Sequence, residues 1–313
     1  MNYKTILEDI FQEIQEELKH GKVADYIPAL ANVEPNQFAM SITLKDGTQY
    51  SVGNCDTKFS IQSISKVLSF SLAIDIYSKS LYQRVGVEPS GSPFNSLVQL
   101  EYENGIPRNP FINAGAIVIT DALISHFGGE YATLEKIINF TRSIANNTEI
   151  SFDSKVAKSE MEHGSRNLSL AYLMQSFSNI ENCVEDVVKT YFKQCSIKMT
   201  TKELSRAMLF LAFSGKDPIT NKEYLSPPQA KRVNALMLTC GHYDASGDFA
   251  FNVGLPAKSG VGGGIVAVVP NKMGIAVWSP RLNKNGNSHA GTEALKLFTT
   301  KTGLSIFWVN QQN

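Results

Sequence analysis

Two hairpin signals at opposite ends of the chain constrain its fold more than any other feature. Residues 38–44 and 48–53 are strand-like runs joined by Lys45-Asp46-Gly47, and residues 263–269 and 273–279 repeat the pattern around Pro270-Asn271-Lys272. Runs of this kind flanking a short turn read as antiparallel hairpins. From about residue 65 to Leu225 the pattern is helical instead, with breaks at 89–93, 107–110, Gly128-Gly129 and 145–151. Strands at both ends and helices between them predict an α+β fold: an antiparallel sheet flanked by helices, with an inserted, mostly helical domain. The expected division is residues 1–60 and 226–313 for the sheet-containing part and 61–225 for the helical one. A site at their junction would occupy a natural cleft.

The ends of the chain supply the flanking helices. Residues 3–18 place Tyr3, Ile6, Leu7, Ile10, Phe11, Ile14 and Leu18 on one face, and Gly21 follows as a stop. Pro28 fixes a turn at 24–30. Residues 291–301 read as a closing helix capped by Gly303, with one more strand expected over 304–309. Lys plus Arg equals Asp plus Glu at 29 each, which gives no electrostatic case for nucleic acid or a membrane surface. Cys55, Cys183, Cys195 and Cys240 are scattered, without the spacing of a zinc site or a disulfide scaffold, and read as buried free thiols in a reducing compartment. The five His form no ligand pair, so no metal is expected. The N-terminus opens an amphipathic helix rather than an apolar signal core, and no run of about 18 apolar residues follows, so the expectation is a soluble cytoplasmic protein.

The chemistry is carried by residues 59–70 (FSIQSISKVLSF), which run from a strand or loop end into an apolar helix over 67–76. Ser63 and Lys66 stand three apart, a spacing that shares one helix face. A serine hydroxyl attacks only when a base takes its proton. A lysine is such a base once burial lowers its pKa, and Ile64, Val67, Leu68 and Phe70 offer that setting. Alone, the match fits a capping serine and a solvated lysine better. Lys258-Ser259-Gly260, in LPAKSGVGGGI, adds a cation, a hydroxyl and glycine N–H groups of the kind that accompany Ser-x-x-Lys in penicillin-recognising enzymes. A plain bulge would also explain those glycines. Lys301-Thr302-Gly303 matches the same pattern but reads as a helix cap.

Together, FSIQSISKVLSF, 109–117 (NPFINAGAI), 159–167 (SEMEHGSRN), 240–249 (CGHYDASGDF), 255–265 (LPAKSGVGGGI), 24–30 (ADYIPAL) and 189–197 (KTYFKQCSI) resemble the serine-dependent glutaminases. That family shares the fold of β-lactamases and D-alanyl-D-alanine peptidases. The resemblance runs from about Tyr3 to Gly303 as several long blocks in order. It implies that L-glutamine is hydrolysed to glutamate and ammonia through a γ-glutamyl-serine intermediate, without metal or cofactor, in a homo-oligomer (dimer or tetramer).

By the same resemblance Ser63 is the nucleophile, Lys66 its base, and Tyr243 a proton shuttle. Val261 gives its N–H to the oxyanion hole together with the N–H of Ser63. Substrate is held by Tyr26, Asn113, Glu160, Asn167 and Tyr191, with Glu160 on the α-ammonium. Without the resemblance these would read as a surface carboxylate, loop-capping asparagines and core-edge tyrosines. One departure is Gly164-Ser165-Arg166-Asn167, where the family usually has Gly-Asp-Arg-Asn, so Ser165 is a candidate modifier of the pocket. The rival readings are a serine β-lactamase or D-alanyl-D-alanine peptidase-like hydrolase of the same fold, and a non-catalytic amino-acid-binding module. The first is disfavoured by the lack of an export signal, the second by the presence of both Ser63 and Lys66.

Overall fold

The computed structural model describes residues 1–90 and 97–308. Its centre is a five-stranded antiparallel sheet in the order Gln49–Gly53, Ala39–Leu44, Met273–Trp278, Gly264–Val269, Ala257–Ser259. Both expected hairpins are present, and they join through a pairing that sets Ala39 opposite Trp278 and Leu44 opposite Met273. Asp46 Oδ1 accepts from the Thr48 N–H at 2.9 Å, closing the first turn in the way that favours Asp there.

Helices cover both faces, which is why Met273–Trp278 is buried along its whole length rather than alternating. One face takes Tyr3–Glu13 and His289–Thr302: Leu7, Ile10, Leu295 and Phe298 pack with Met40, Ile42, Ile265 and Ile275. Burying each such side chain contributes about 1.5–3 kcal/mol. The opposite face takes Thr201–Ala207 and Leu209–Ala212. Two hydroxyl pairs fasten this contact, Ser41 to Thr201 at 2.8 Å and Thr43 to Ser205 at 2.7 Å, so the polar atoms buried there are satisfied. A Cβ on Gly274 would collide with the Ser205 carbonyl, and only glycine lets helix and strand come so close.

Beyond the sheet, Ser65–Tyr77 runs through the middle of the helical region, with nine of its residues buried. Asn113–Phe127 and Pro227–Cys240 pack against it, and Ser154–Glu162, Ser165–Ser176 and Val184–Cys195 complete the layer that faces the sheet's end.

Three expectations are corrected. The helical stretch is not continuous to Leu225: Ile197–Met199 forms a strand that pairs with Phe59–Ser60 on one side and with the strand Ser151–Phe152 on the other, and residues 213–225 are turns. Apolar residues such as Ile197 and Met199 fit a buried strand and a buried helix equally well, so a short run could not be told apart. The closing strand does not form. Residues 304–308 instead hold the Ile306 N–H on Gly254 O at 2.9 Å and leave Phe307 and Trp308 exposed. Leu304 and Ile306 alternate like a strand, but no ladder partner meets them; Val309 lies outside the described residues, as does Pro93 of the break at 89–93. The first helix ends at Glu13 rather than near Leu18, and a 3-10 turn, Glu17–Lys19, carries the chain on to Gly21. Among the described residues no helix is long and apolar enough to cross a membrane.

Candidate active site

The segment around Ser63 owes its shape to an unusual backbone. Phe59–Ser60 leads into a 3-10 turn, Gln62–Ile64, before the helix Ser65–Tyr77 begins. Gln62, directly before Ser63, has φ +49°, a left-handed conformation that costs a non-glycine residue about 1–3 kcal/mol. It is held by Gln62 Nε2 donating to Ser60 Oγ at 3.2 Å and by Ser60 Oγ donating to Cys195 O at 3.0 Å. Ser63 thus lies at the helix N-terminus, not within the helix, and its three-residue offset from Lys66 still puts both on one side.

Lys66 is wholly buried. Its Nζ donates to Phe111 O at 3.1 Å and to Asn113 Oδ1 at 2.7 Å, and it sits 5.9 Å from the Tyr191 ring centre. Burial lowers its pKa to about 8, against an upward pull from Cys195 and Glu160. Asn113, the first residue of its helix, passes the chain on: its Nδ2 donates to Asn167 Oδ1 at 3.0 Å.

Tyr243 opens a 3-10 turn after Pro227–Cys240 and, like Gln62, has positive φ, +54°. Burial pushes its phenol up to about 12, while hydrogen bonding with Ser63 and Ser259 pulls the other way. Lys258 Nζ lies 4.5 Å from the centre of that ring and donates to Gly241 O and Ser259 O; burial holds its pKa well below the usual lysine range. Next to it, Gly260 brings the strand end against the turn that carries Ser63. A Cβ there would lie 2.6 Å from Ile61 O and 3.3 Å from Ser63 N.

Across the cavity Glu160 is buried at the end of Ser154–Glu162 and accepts from the Tyr26 hydroxyl at 2.7 Å. Burial raises its pKa, opposed by hydrogen bonds from Tyr26 and Gln62 and by the charge of Lys66. Half the Tyr26 side chain is exposed, but its hydroxyl end dips inward, and burial raises its pKa well above the ordinary value.

One cavity of about 330 Å³ collects these groups: Tyr26, Ser63, Asn113, Glu160, Asn167, Tyr191, Tyr243 and Val261 all line it, with Lys66 just behind Asn113. Ser165 does not. Gln62, His163, Arg166, Phe192 and Cys195 line it too and were not anticipated. Cys195 was within reach of sequence reasoning, one helical turn beyond Tyr191 on the same face. Burial pushes its thiol up to about 12, which leaves it unreactive. A larger hollow of about 560 Å³, between Glu17, Lys22 and Lys284, opens on solvent and contains none of these residues. Among the described residues no three His, Cys, Asp or Glu side chains are grouped to hold a metal ion.

An antiparallel sheet covered by helices, with a helical layer beyond it, is the β-lactamase-like fold of the bacterial glutaminases. The glutaminase family model matches residues 21–307. A glutaminase from Aliarcobacter butzleri is 61% identical over 307 residues, 98% of this chain and 100% of that one. The crystal structure of a probable glutaminase from Bacillus subtilis superposes with TM-score 0.90 at 34% identity, covering 98% of each chain. That of Mglu in its glutamate form gives 0.88 at 33%, covering 94% of this chain and 68% of that one. The chain belongs to the glutaminase family, the L-glutamine amidohydrolases.

Proposed function

We propose that this cavity hydrolyses the side-chain amide of L-glutamine through a γ-glutamyl ester on Ser63. The observation that carries the reading is the gathering of Ser63, Tyr243 and Glu160 around one cavity, with Lys66 buried at its back. A neutral lysine has two N–H bonds and one lone pair. Phe111 O and Asn113 Oδ1 occupy both N–H bonds, which leaves the lone pair for the Ser63 proton. Ser63 Oγ then bonds to the amide carbon as its proton passes to Lys66. The oxyanion rests on the N–H groups of Ser63 and Val261, a reading supported by the close approach of Gly260 to Ser63 N. Tyr243 passes a proton to the departing nitrogen and recovers one from the Lys66 ammonium, the C–N bond breaks and ammonia leaves. Water adds to the ester, its proton taken by the same relay, and glutamate is released.

Glu160 receives the α-ammonium of substrate, while Asn113, Asn167, Tyr26 and Tyr191 provide neutral hydrogen-bonding groups for the rest of the amino-acid end. The test is a coupled glutamate assay of wild type and Ser63→Ala beside calorimetric titration with glutamine. Turnover should vanish in the variant while binding persists; retention of more than a few per cent of turnover would remove Ser63 from the role of nucleophile.

The division into a sheet part from both termini and a helical part, 61–225, is likewise a proposal, with the cavity at the seam. Thr201–Ala212 then belongs by packing to the sheet's own layer. A homo-oligomer is supported by exposed Val98, Tyr102, Tyr172 and Phe177 on or next to two helices that touch, and sedimentation would test it. Four free cysteines support a reducing, cytoplasmic setting; Cys55, Cys195 and Cys240 are buried, while Cys183, expected to be buried too, is exposed.

A further inference from the structure

Two carboxamides in series connect the buried amine of Lys66 to the cavity wall. Lys66 Nζ donates to Asn113 Oδ1 at 2.7 Å, and Asn113 Nδ2 donates to Asn167 Oδ1 at 3.0 Å. The three residues come from separate helices, Ser65–Tyr77, Asn113–Phe127 and Ser165–Ser176, so the tertiary fold alone brings them into line. Asn167 lines the cavity, and among the described residues nothing accepts from its Nδ2. The Tyr26 hydroxyl, by contrast, is already given to Glu160 at 2.7 Å.

A carboxamide has a direction, since one end accepts and the other donates. An ammonium only donates, so protonated Lys66 requires Asn113 Oδ1. That sends Asn113 Nδ2 to Asn167 and leaves Asn167 Nδ2 for the cavity. A neutral amine relaxes the demand, because it carries a lone pair and accepts more strongly than it donates. Both amides can then turn over together. Asn113 Nδ2 donates to Lys66 Nζ, Asn167 Nδ2 donates to Asn113 Oδ1, and Asn167 Oδ1 faces the cavity. The same three side chains touch in either sense, but the consequence for chemistry is opposite. In the first sense the Lys66 lone pair is free for the Ser63 proton; in the second it is spent on Asn113. A carboxylate in the cavity decides between them. It can only accept, so it binds Asn167 Nδ2 in the first sense and is repelled by Asn167 Oδ1 in the second.

We propose that Asn113 and Asn167 form a polarity switch through which the α-carboxylate of bound glutamine sets Lys66 in its base-competent form. This rests on the reading of the cavity as a glutamine site and of Lys66 as the base. It adds that the amino-acid end of the substrate takes part in the chemistry at the amide end. The γ-glutamyl ester keeps the same carboxylate, so the switch stays set while Lys66 draws a proton from the attacking water. A substrate without that carboxylate loses kcat as well as affinity, because part of the enzyme holds it with the base tied up.

The experiment compares glutamine with γ-aminobutyramide, which keeps the ammonium and the side-chain amide but has no carboxylate. Wild type, Asn167→Asp and Asn167→Leu are each read as the plateau kcat of a pH profile, so a shift of the Lys66 pKa by the new charge does not enter. The other ionisable groups acting on Lys66, namely Glu160, Cys195 and Lys258, are the same in every arm. The carboxylate brought in by Asn167→Asp only accepts, so it holds Asn113 in the productive sense with any substrate. Its kcat on γ-aminobutyramide should exceed that of wild type by about three- to tenfold, the worth of one net hydrogen bond. Its KM for glutamine should rise steeply, since two carboxylates then meet. Asn167→Leu removes the switch, and kcat should fall by the same factor on glutamine while barely changing on γ-aminobutyramide. No gain by Asn167→Asp on γ-aminobutyramide, including no turnover by either protein, would overturn the proposal. Should Asn167→Asp fail to fold, Asn167→Leu decides: a fall confined to glutamine supports the switch, and equal falls on both substrates, or none, overturn it. An active Lys66→Met would overturn the base reading and this inference with it. An inactive Lys66→Met beside Asn167 effects that ignore the substrate would overturn this inference alone.

Discussion

Lys66→Met removes a buried amine but keeps an unbranched side chain of similar length, and it separates the cost of holding that amine from its use. Burial holds the folded group at about 8 against an ordinary 10.5. Between those values the unfolded chain binds the proton and the folded chain does not, so wild-type stability rises with pH across that window. Below about 8 both states are protonated and the penalty is constant. At about 1.4 kcal/mol per pH unit the gap amounts to about 3 kcal/mol. Against this, methionine leaves Phe111 O and Asn113 Oδ1 without their donor, at about 1–3 kcal/mol each. The two effects oppose one another near neutral pH. Above 10.5 wild type no longer carries the penalty, so the stability of the variant relative to wild type should fall by about 3 kcal/mol between about pH 7.5 and pH 10.5. Urea unfolding of both proteins at the two pH values measures this, because all other titrations are common to the pair and cancel. Parallel stability curves would refute the argument, showing that Lys66 does not titrate in this range in the folded protein. Wild-type kcat/KM should meanwhile climb about tenfold per pH unit below about 8 and level off above it, while the variant stays inactive throughout.

Glu160→Gln should cost about 2–5 kcal/mol of glutamine affinity, roughly 30- to several-thousand-fold in KM, by truncating one partner of a desolvated charge pair. It should barely change the poor activity on glutaramic acid, which lacks the amine; equal loss on both substrates would refute the assignment. Gly260→Ala should lower kcat about 100-fold or more, the cost of losing one oxyanion donor, because the added methyl would press on Ile61 O and shift the strand end from Ser63 N. Circular dichroism should show an intact fold, and wild-type kcat would show that the strand end carries no donor.

Much of this was legible in the chain itself, and the reasons differ by element. The two hairpins announced themselves because Lys45-Asp46-Gly47 and Pro270-Asn271-Lys272 are local turn chemistry that no distant contact overrides. Ser63 and Lys66 were visible as a spacing, and the burial of Lys66 followed from its apolar neighbours. What could not be read is the left-handed backbone at Gln62 and Tyr243, since neither residue type advertises it and both conformations are imposed by contacts from remote segments, Cys195 and Asn287. The strands at Ser151–Phe152 and Ile197–Met199 were missed because they exist only by pairing between remote segments, Ile197–Met199 lying between Phe59–Ser60 and Ser151–Phe152. His163 and Arg166 lie between Glu160 and Asn167 in one block, yet exposed polar residues at a turn and at the start of a helix carry no mark of which way they face.

The pairing of Ala39–Leu44 with Met273–Trp278 bears on how the protein is made. On the ribosome the first hairpin emerges long before its neighbour exists, and its inner strand must wait with an unpaired edge until nearly the entire chain has been translated. Contacts so distant in sequence close slowly, because the loop entropy is lost before the sheet returns any stability. Lys258, Ser259 and Gly260 arrive on the last strands to be added. A nascent or C-terminally truncated chain therefore holds Ser63 and Lys66 without the strand end that Gly260 brings against them.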